Sequence, residues 1–295
     1  MRLAVLKYDN NGNIGDEIQT LAAEQFLPRV DLRLDRDSLA GARQSEPTLL
    51  LMNGWFAKNP RGSFPPAEGI DPVFFSFHIA GSPKDAAHFF SAPCLEYFRR
   101  HQPVGCRDKD TAERLRAAGV EAYYTKCLTL TFSRRPTAPR NGRVFIVDVD
   151  TSNVYLPREL RRGAVVVTHH LSDLYDDELK SMMARKTLEL YRNQARLVIT
   201  SRVHCALPCS AMGIPVVFLG DPRDVRMSVL EDIGIKIHPY RKFKGGLRRY
   251  FYRQYFKIFR ASGIDWNPKP LDLEEEKSRI VSALRKVLKE KGIKS

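Results

Sequence analysis

The sequence predicts an α/β protein built from two doubly wound, parallel-sheet domains in succession. Three observations carry this. Short β-branched and aliphatic runs alternate with amphipathic helical stretches, the signature of helices laid on both faces of a parallel sheet. The runs are continuously apolar, as strands covered on both faces must be. A charged, proline-containing linker, Ser133–Arg143, interrupts the pattern, and a fresh strand starts directly after it. A chain of 295 residues is long for one core and comfortable for two.

The first element is a strand over Leu3–Tyr8. The loop Asp9–Asp16 (DNNGNIGD) is rich in residues that tolerate positive φ, and Asp16 is placed to cap a helix over Glu17–Phe26. Buried strands follow at Thr48–Met52, leading into Asn53-Gly54-Trp55-Phe56, and at Val73–Phe77, ending at His78. Helical patterns cover Ala92–His101 and Asp110–Ala118, with Gly119 as a stop. Beyond the linker, strands are expected at Val144–Val149, Ala164–Thr168, Leu197–Thr200 and Pro215–Leu219. Ala184, Leu188, Tyr191 and Ala195 mark one face of an intervening helix. Asp148 and Asp150 read as alternation at a strand end rather than as a metal-binding pair. Asp272–Gly292 is a closing helix whose apolar stripe is Ile280, Leu284, Val287 and Leu288. The resulting division is 1–138, 139–270 and a closing segment 271–295, with ligand expected between the two lobes.

Composition narrows the classes. No stretch of about 18 uncharged apolar residues exists, so no helix is expected to span a membrane. The five cysteines (94, 106, 127, 205, 209) form no CxxC pair, which argues against a disulfide framework and for a cytoplasmic setting. No metal is expected. Forty-eight Lys+Arg against 34 Asp+Glu give a formal charge of +14, which points to anionic partners. The excess is uneven: Tyr240–Arg260 holds eight basic residues, no acid, and interleaved aromatics. That composition suits an anionic membrane surface or single-stranded nucleic acid, or else a packed helix with a basic outer face. The membrane is the preferred partner of the first two.

The stretch Leu197–Leu219 carries the chemistry. The loop leaving its first strand holds Ser201, Arg202 and His204, at a strand's carboxyl end and just before a helix, where open α/β sheets bind ligands and free N–H groups favour anions. An arginine for phosphate or carboxylate beside a histidine for proton transfer suggests a phosphorylated substrate. His169-His170 also ends a strand, and one of the two is a candidate for the same region. Asn53, His78 and Arg226 are weaker site candidates: His78 reads first as packed, Arg226 as solvated.

Four pieces of the chain together resemble the polysaccharide pyruvyl transferase family: Asn13-Ile14-Gly15-Asp16 with the QTLA helix, GCRDKDTAERLRAAG at 105–119, CLTLTF at 127–132, and TSRVHCALPCSAMGIPVV at 200–217. The last block is the most specific. The chain departs from many members at Asn53-Gly54-Trp55-Phe56, where they carry a glycine run, and near Thr125-Lys126-Cys127, where they carry an acid. The resemblance implies two Rossmann-like lobes similar to the B-type glycosyltransferase (GT-B) fold. It implies transfer of pyruvate from phosphoenolpyruvate, a co-substrate rather than a cofactor, to a sugar of a cell-surface polysaccharide or its lipid-linked precursor. His204 then matches the catalytic histidine, Arg202 and Arg107 the donor-binding arginines, with Ser201 beside them. Asp16 matches the aspartate of the N-terminal loop, as a catalytic residue or on the acceptor side, with Asn13 nearby as a cleft candidate. The expected place is cytoplasmic, at the inner face of the membrane. The alternatives are a glycosyltransferase of the same fold with a nucleotide-sugar donor and a non-catalytic nucleic-acid-binding module.

Overall fold

A computed structural model describes residues 1–9, 11–82, 84–172, 175–243 and 245–293. The chain divides into two compact units. The first comprises Met1–Thr131, Leu171–Ala184 and Glu276–Ser295; the second comprises Phe132–His170 and Arg185–Glu275.

The first unit runs β1 (Arg2–Lys7), α1 (Ile14–Glu24), β2 (Leu32–Asp35), β3 (Thr48–Met52), β4 (Trp55–Phe56), α2 (Pro60–Ser63), β5 (Ile70–Phe74), β6 (His78–Ile79), α3 (Ala92–Arg100), β7 (Val104–Cys106), α4 (Lys109–Ala117) and β8 (Ala122–Tyr124). Among the described residues its main sheet has four strands in the order β2-β1-β3-β5, all parallel. Two short parallel pairs, β4-β6 and β7-β8, form separate two-stranded sheets. The chain adds β2 on one side of β1 and then β3 on the other, so the direction of winding reverses between β1 and β3. Alternate residues of the central strands, Leu6, Leu50, Met52 and Phe74, enter a core with the stacked pair Phe64 and Phe98, whose centroids are 4.4 Å apart.

The second unit contains β9 (Arg143–Val147), α5 (Arg158–Arg161), β10 (Val165–Val167), α6 (Asp177–Gln194, begun in the first unit), β11 (Ala195–Thr200), α7 (Val203–Ala211), β12 (Val216–Gly220), α8 (Ser228–Glu231), β13 (Ile237–Pro239) and α9 (Gly246–Phe259). Its described strands follow the order β10-β9-β11-β12-β13, again all parallel. This is a doubly wound order whose reversal falls between β9 and β11. Val144, Ile146, Leu197, Ile199, Val217 and Leu219 pack with Phe256 of α9 on one face. Phe145, turned the other way, meets Tyr191 of α6 edge-on at 5.4 Å. Both faces are covered, which is why these strands read as unbroken apolar runs.

α10 (Glu274–Glu290) buries Ile280, Leu284 and Leu288, at helical spacing, and is counted from Glu276 onward with the first unit. Its neighbourhood is tied by Lys126 to Glu276 at 2.8 Å and by Lys291 to Asp71 at 2.8 Å, both within that unit. Two strand ends differ from expectation. β5 stops at Phe74, and His78 opens the separate β6 instead of closing the same strand, because Ser76 takes a left-handed turn at φ 59°. β9 stops at Val147, and Asp148 at φ 54° has left the strand, so Asp148 and Asp150 are not alternating strand residues.

Candidate functional site

Each winding reversal brings two strand ends together, and the chemistry-bearing residues gather there. In the second unit Thr200 pairs with Val147, so Asp148 and Ser201 leave the sheet side by side. Asp148 accepts the left-handed conformation that a short polar side chain tolerates. Its backbone O receives Ser201 Oγ at 2.8 Å. Its carboxylate is a hub. Oδ1 accepts from Thr168 Oγ1 at 2.7 Å, and Oδ2 accepts from His169 N at 3.1 Å and from Arg202 Nε at 2.7 Å. Burial raises this acid, but the Thr168 hydroxyl, the Arg202 charge and the His169 N–H outweigh it and hold it below the usual carboxylate range.

Arg202 is the N-cap residue of α7, with its side chain 26% exposed, and its Nη2 also meets His170 Nε2. Burial and the Arg202 charge lower the pKa of His170, so this imidazole is neutral near pH 7 and accepts from the guanidinium. Of the two adjacent histidines, His169 turns inward: it is fully buried, with Nε2 at 2.8 Å from Tyr191 Oη. His170 is the one beside Arg202. His204 sits in the first turn of α7 with φ −81° and ψ 18°, outside the helical range. Pro208 explains this. A proline inside a helix supplies no N–H to the carbonyl four residues back and its ring crowds that carbonyl, which here belongs to His204. The half-buried imidazole is therefore carried on a distorted turn, at a helix end whose first N–H groups lack intrahelical acceptors.

The first unit's reversal point is built differently. α1 begins at Ile14, three residues before the expected start, and its N-cap is Asn13, whose Oδ1 accepts from Gly15 N at 3.2 Å. Asp16 is therefore not the cap. Its carboxylate lies inside the helix, where Oδ2 accepts from Asn11 Nδ2 at 2.6 Å and Oδ1 from Gln19 Nε2 at 2.9 Å. Gln19 binds the cluster together: its Oε1 accepts from Arg107 Nη1 at 3.1 Å and its backbone O from Asn53 Nδ2 at 2.7 Å. Arg36, fully buried, stacks over Tyr8 and Trp55 with centroid distances of 5.0 and 5.4 Å, grips Asp37 through two bonds and lies 3.9 Å from Asp16. Burial pushes the Asp16 carboxyl up, against the pull of Arg36 and Asn11. Its neighbour Glu17 is raised to about 7 by burial, and neither carboxyl oxygen has a hydrogen-bond partner. Tyr8 Oη, Asn53 Oδ1 and Trp55 Nε1 also lack partners.

Of the expected site residues, the structure brings Ser201 and Arg202 together through Asp148, and Arg202 to His170, with His204 two residues further along the chain. Separately, it gathers Asn13, Asp16, Asn53 and Arg107 around Gln19. Arg107 is only 3% exposed. His78 is buried, with Nδ1 2.5 Å from Asp108 Oδ2, a pairing that holds β6 to the start of α4. Arg226 closes a pair with Asp224 at 2.5 Å in a 3₁₀ turn over Val225–Met227, as a solvated arginine would. Asp148, Gln19 and Arg36 were missed as site residues. An acid just past an apolar strand run was the signal for Asp148, and a proline four residues after His204 was the signal for the kink. Nothing in the sequence signals Arg36, whose role depends on residues distant in the chain.

A family model described as polysaccharide pyruvyl transferase matches residues 13–221. No curated protein matches the sequence. Among solved structures, an uncharacterised protein from Klebsiella pneumoniae subsp. pneumoniae NTUH-K2044 is 16% identical, with 78% of this chain and 87% of that chain covered and a TM-score of 0.48. A variant of the wall teichoic acid polymerase TagF is 12% identical, with 98% and 90% covered and a TM-score of 0.40. The family match begins at the N-cap of α1, ends just past β12 and so takes in both residue clusters: the chain belongs to the polysaccharide pyruvyl transferase family.

Proposed function

We propose that the protein transfers pyruvate from phosphoenolpyruvate to a sugar of a cell-surface polysaccharide or its lipid-linked precursor, forming a pyruvate ketal. The family supports a transferase acting on polysaccharide. The observation that carries the donor reading is Arg202: a partly exposed guanidinium, aimed by Asp148 and His170 at a strand-end reversal point, two residues before His204.

Phosphoenolpyruvate packs a carboxylate and a phosphate into a small volume, and a guanidinium fork recognises either through two parallel bonds. The reaction needs a proton delivered to the methylene carbon. A sugar hydroxyl then attacks the neighbouring carbon and gives up its proton, phosphate leaves with the enol oxygen, and a second hydroxyl closes the ketal. His204 is assigned the proton transfers, which typically supply about 10²–10⁴-fold in rate. Arg202 is assigned the donor, with Ser201 holding the loop against Asp148. The resemblance also assigns Arg107 to the donor. Asp16 and its cluster are assigned to the acceptor side, on the resemblance of the N-terminal loop Asn13-Ile14-Gly15-Asp16. Each unit is read as a Rossmann-like domain of the kind found in the GT-B fold, acting in the cytoplasm.

Thermal melting with phosphoenolpyruvate against nucleoside diphosphates tests the donor. A ligand present at 100 times its Kd stabilises by about 2.7 kcal/mol. The expected result is a rise with phosphoenolpyruvate that Arg202→Lys diminishes, followed by phosphate release when an acceptor glycan is added. Stabilisation by a nucleoside diphosphate alone would overturn the reading in favour of a glycosyltransferase.

A further inference from the structure

α9 carries, among the described residues, more exposed large hydrophobic side chains than any other element. Its anchor is Phe256, fully buried in the second unit's core. On the opposite side Leu247, Phe251, Tyr255 and Ile258 follow one another at spacings of four, four and three, a single helical face. They are 70%, 59%, 40% and 62% exposed. Tyr250 and Phe259 flank the stripe and are equally open. A monomer seldom leaves so contiguous an apolar surface to water without a partner for it. Arg248 and Lys257 lie on opposite flanks, Arg260 follows at the end, and Tyr240–Arg260 contains no acid to offset them. Beside the helix opens a cavity of about 530 Å³, lined by Tyr252, Tyr255 and Arg260 from the helix and its end and by Arg223 and Arg241 from the loops after β12 and β13. Asp221 lines it too and pairs with Arg223 at 2.6 Å, so the positive charge continues off the helix into this concave surface through Arg241.

We propose that α9 docks flat on an anionic lipid bilayer. Leu247, Phe251 and Ile258 enter the boundary of the acyl chains, Tyr250 and Tyr255 sit at headgroup level, and the flanking arginines and lysine meet lipid phosphates. Three points select this occupant. Aliphatic Leu247 and Ile258 make up half of the stripe and gain nothing from stacked bases, so the face as a whole is not a single-strand platform. A second copy set face to face about a two-fold axis would bring Arg248 of one helix against Lys257 and Arg260 of the other, cation against cation. No described helix is long and apolar enough to cross a membrane, so the contact is with the surface.

Co-sedimentation of the full chain with vesicles tests this. Phosphatidylcholine vesicles are compared with vesicles that also contain phosphatidylglycerol. The expected result is at least about tenfold stronger partitioning onto the anionic vesicles, falling with added salt. Phe251→Ser/Ile258→Ser is expected to reduce it at least about tenfold, and Arg248→Glu/Arg260→Glu to abolish the preference for phosphatidylglycerol. All four side chains project from the surface, so the melting temperature should hold. Partitioning that neither variant alters would overturn the proposal. So would a dimer in sedimentation velocity that Phe251→Ser/Ile258→Ser dissociates, or binding of single-stranded oligonucleotides in place of vesicles. The inference is independent of the donor reading, because stabilisation by phosphoenolpyruvate should be the same in both variants.

Discussion

The two reversal points share topology but differ in what they leave open. In the second unit a guanidinium is held by one carboxylate and one neutral imidazole and still shows a quarter of its side chain to solvent. In the first unit Arg36 and Arg107 are 0% and 3% exposed, and their partners are internal. A partly exposed, pre-aimed arginine spends little on reorganisation when an anion arrives, whereas a buried one is already engaged in holding the fold. The difference separates two kinds of polar cluster at equivalent places in a doubly wound sheet: one arranged for an incoming charge, the other organised around its own carboxylates and amides. Substitutions at the partly exposed Arg202 and His204 should therefore change activity at constant stability, and those at the buried arginines of the first unit should change stability as well.

The largest expected effect tests the second unit. His204→Asn should lower turnover about 10²–10⁴-fold while melting temperature and phosphoenolpyruvate binding hold. Phosphate-release kinetics and calorimetry measure the two separately. Turnover near the wild-type rate would remove His204 from the reaction and leave His170 as the imidazole to test.

Next comes the first unit. Glu17 titrates at about 7 in the folded chain against an ordinary 4.5. Between those values the folded state keeps a proton that the unfolded state has released, so stability falls as pH rises through that window and the full penalty stands above it. It amounts to about 3 kcal/mol at most. Glu17→Gln should therefore be more stable than the parent at pH 8 and no different near pH 4. Parallel stability curves across that range would mean that the buried carboxyl has found a partner.

Asp148→Asn and Arg202→Lys should both weaken the donor site, by about tenfold or somewhat more, the worth of a hydrogen bond to a charged group. The effect of Arg202→Lys belongs in KM for phosphoenolpyruvate rather than in melting temperature, whereas Asp148→Asn should raise KM and also lower the melting temperature, because its carboxylate holds Thr168 and the His169 N–H as well. A fall in stability without a change in KM would make the pair a structural clamp, and the contrast between the two units would dissolve.

Much of this was legible along the chain. β3 runs over the expected Thr48–Met52, and β9, β11 and β12 lie within a few residues of the expected strands, because doubly covered strands are apolar without interruption and stand out. Ser201, Arg202 and His204 were legible because they follow such a strand. β2 (LRLD) and β13 (IHP) were not, being short and broken by Arg33 and His238 rather than continuously apolar like β10. Nor was the return of Leu171–Ala184 and the end of α10 to the first unit, since packing between distant segments leaves no local pattern. The roles of Asp148 and Gln19 escaped for the same reason: each is defined by partners at least ten residues away, through Arg202 in one case and through Arg107 and Asn53 in the other.

The smallest effect bears on the one misplaced cap. Asp16 and Asn13 both stand where a helix N-terminus was expected, and either residue type caps well. With Asn13 as the cap, Asn13→Ala removes the bond to Gly15 N and should cost about 1 kcal/mol, read by denaturant unfolding. Asp16→Asn should not behave as a cap substitution. Burial already raises that carboxyl, and a neutral amide of the same shape keeps an acceptor for Asn11 or Gln19, so stability should change little or rise slightly. Any loss of function in Asp16→Asn would then report on the carboxylate itself. If Asp16→Asn instead costs as much stability as Asn13→Ala, the loss cannot come from capping, which asparagine serves as well as aspartate, and the first unit's carboxylate is structural after all.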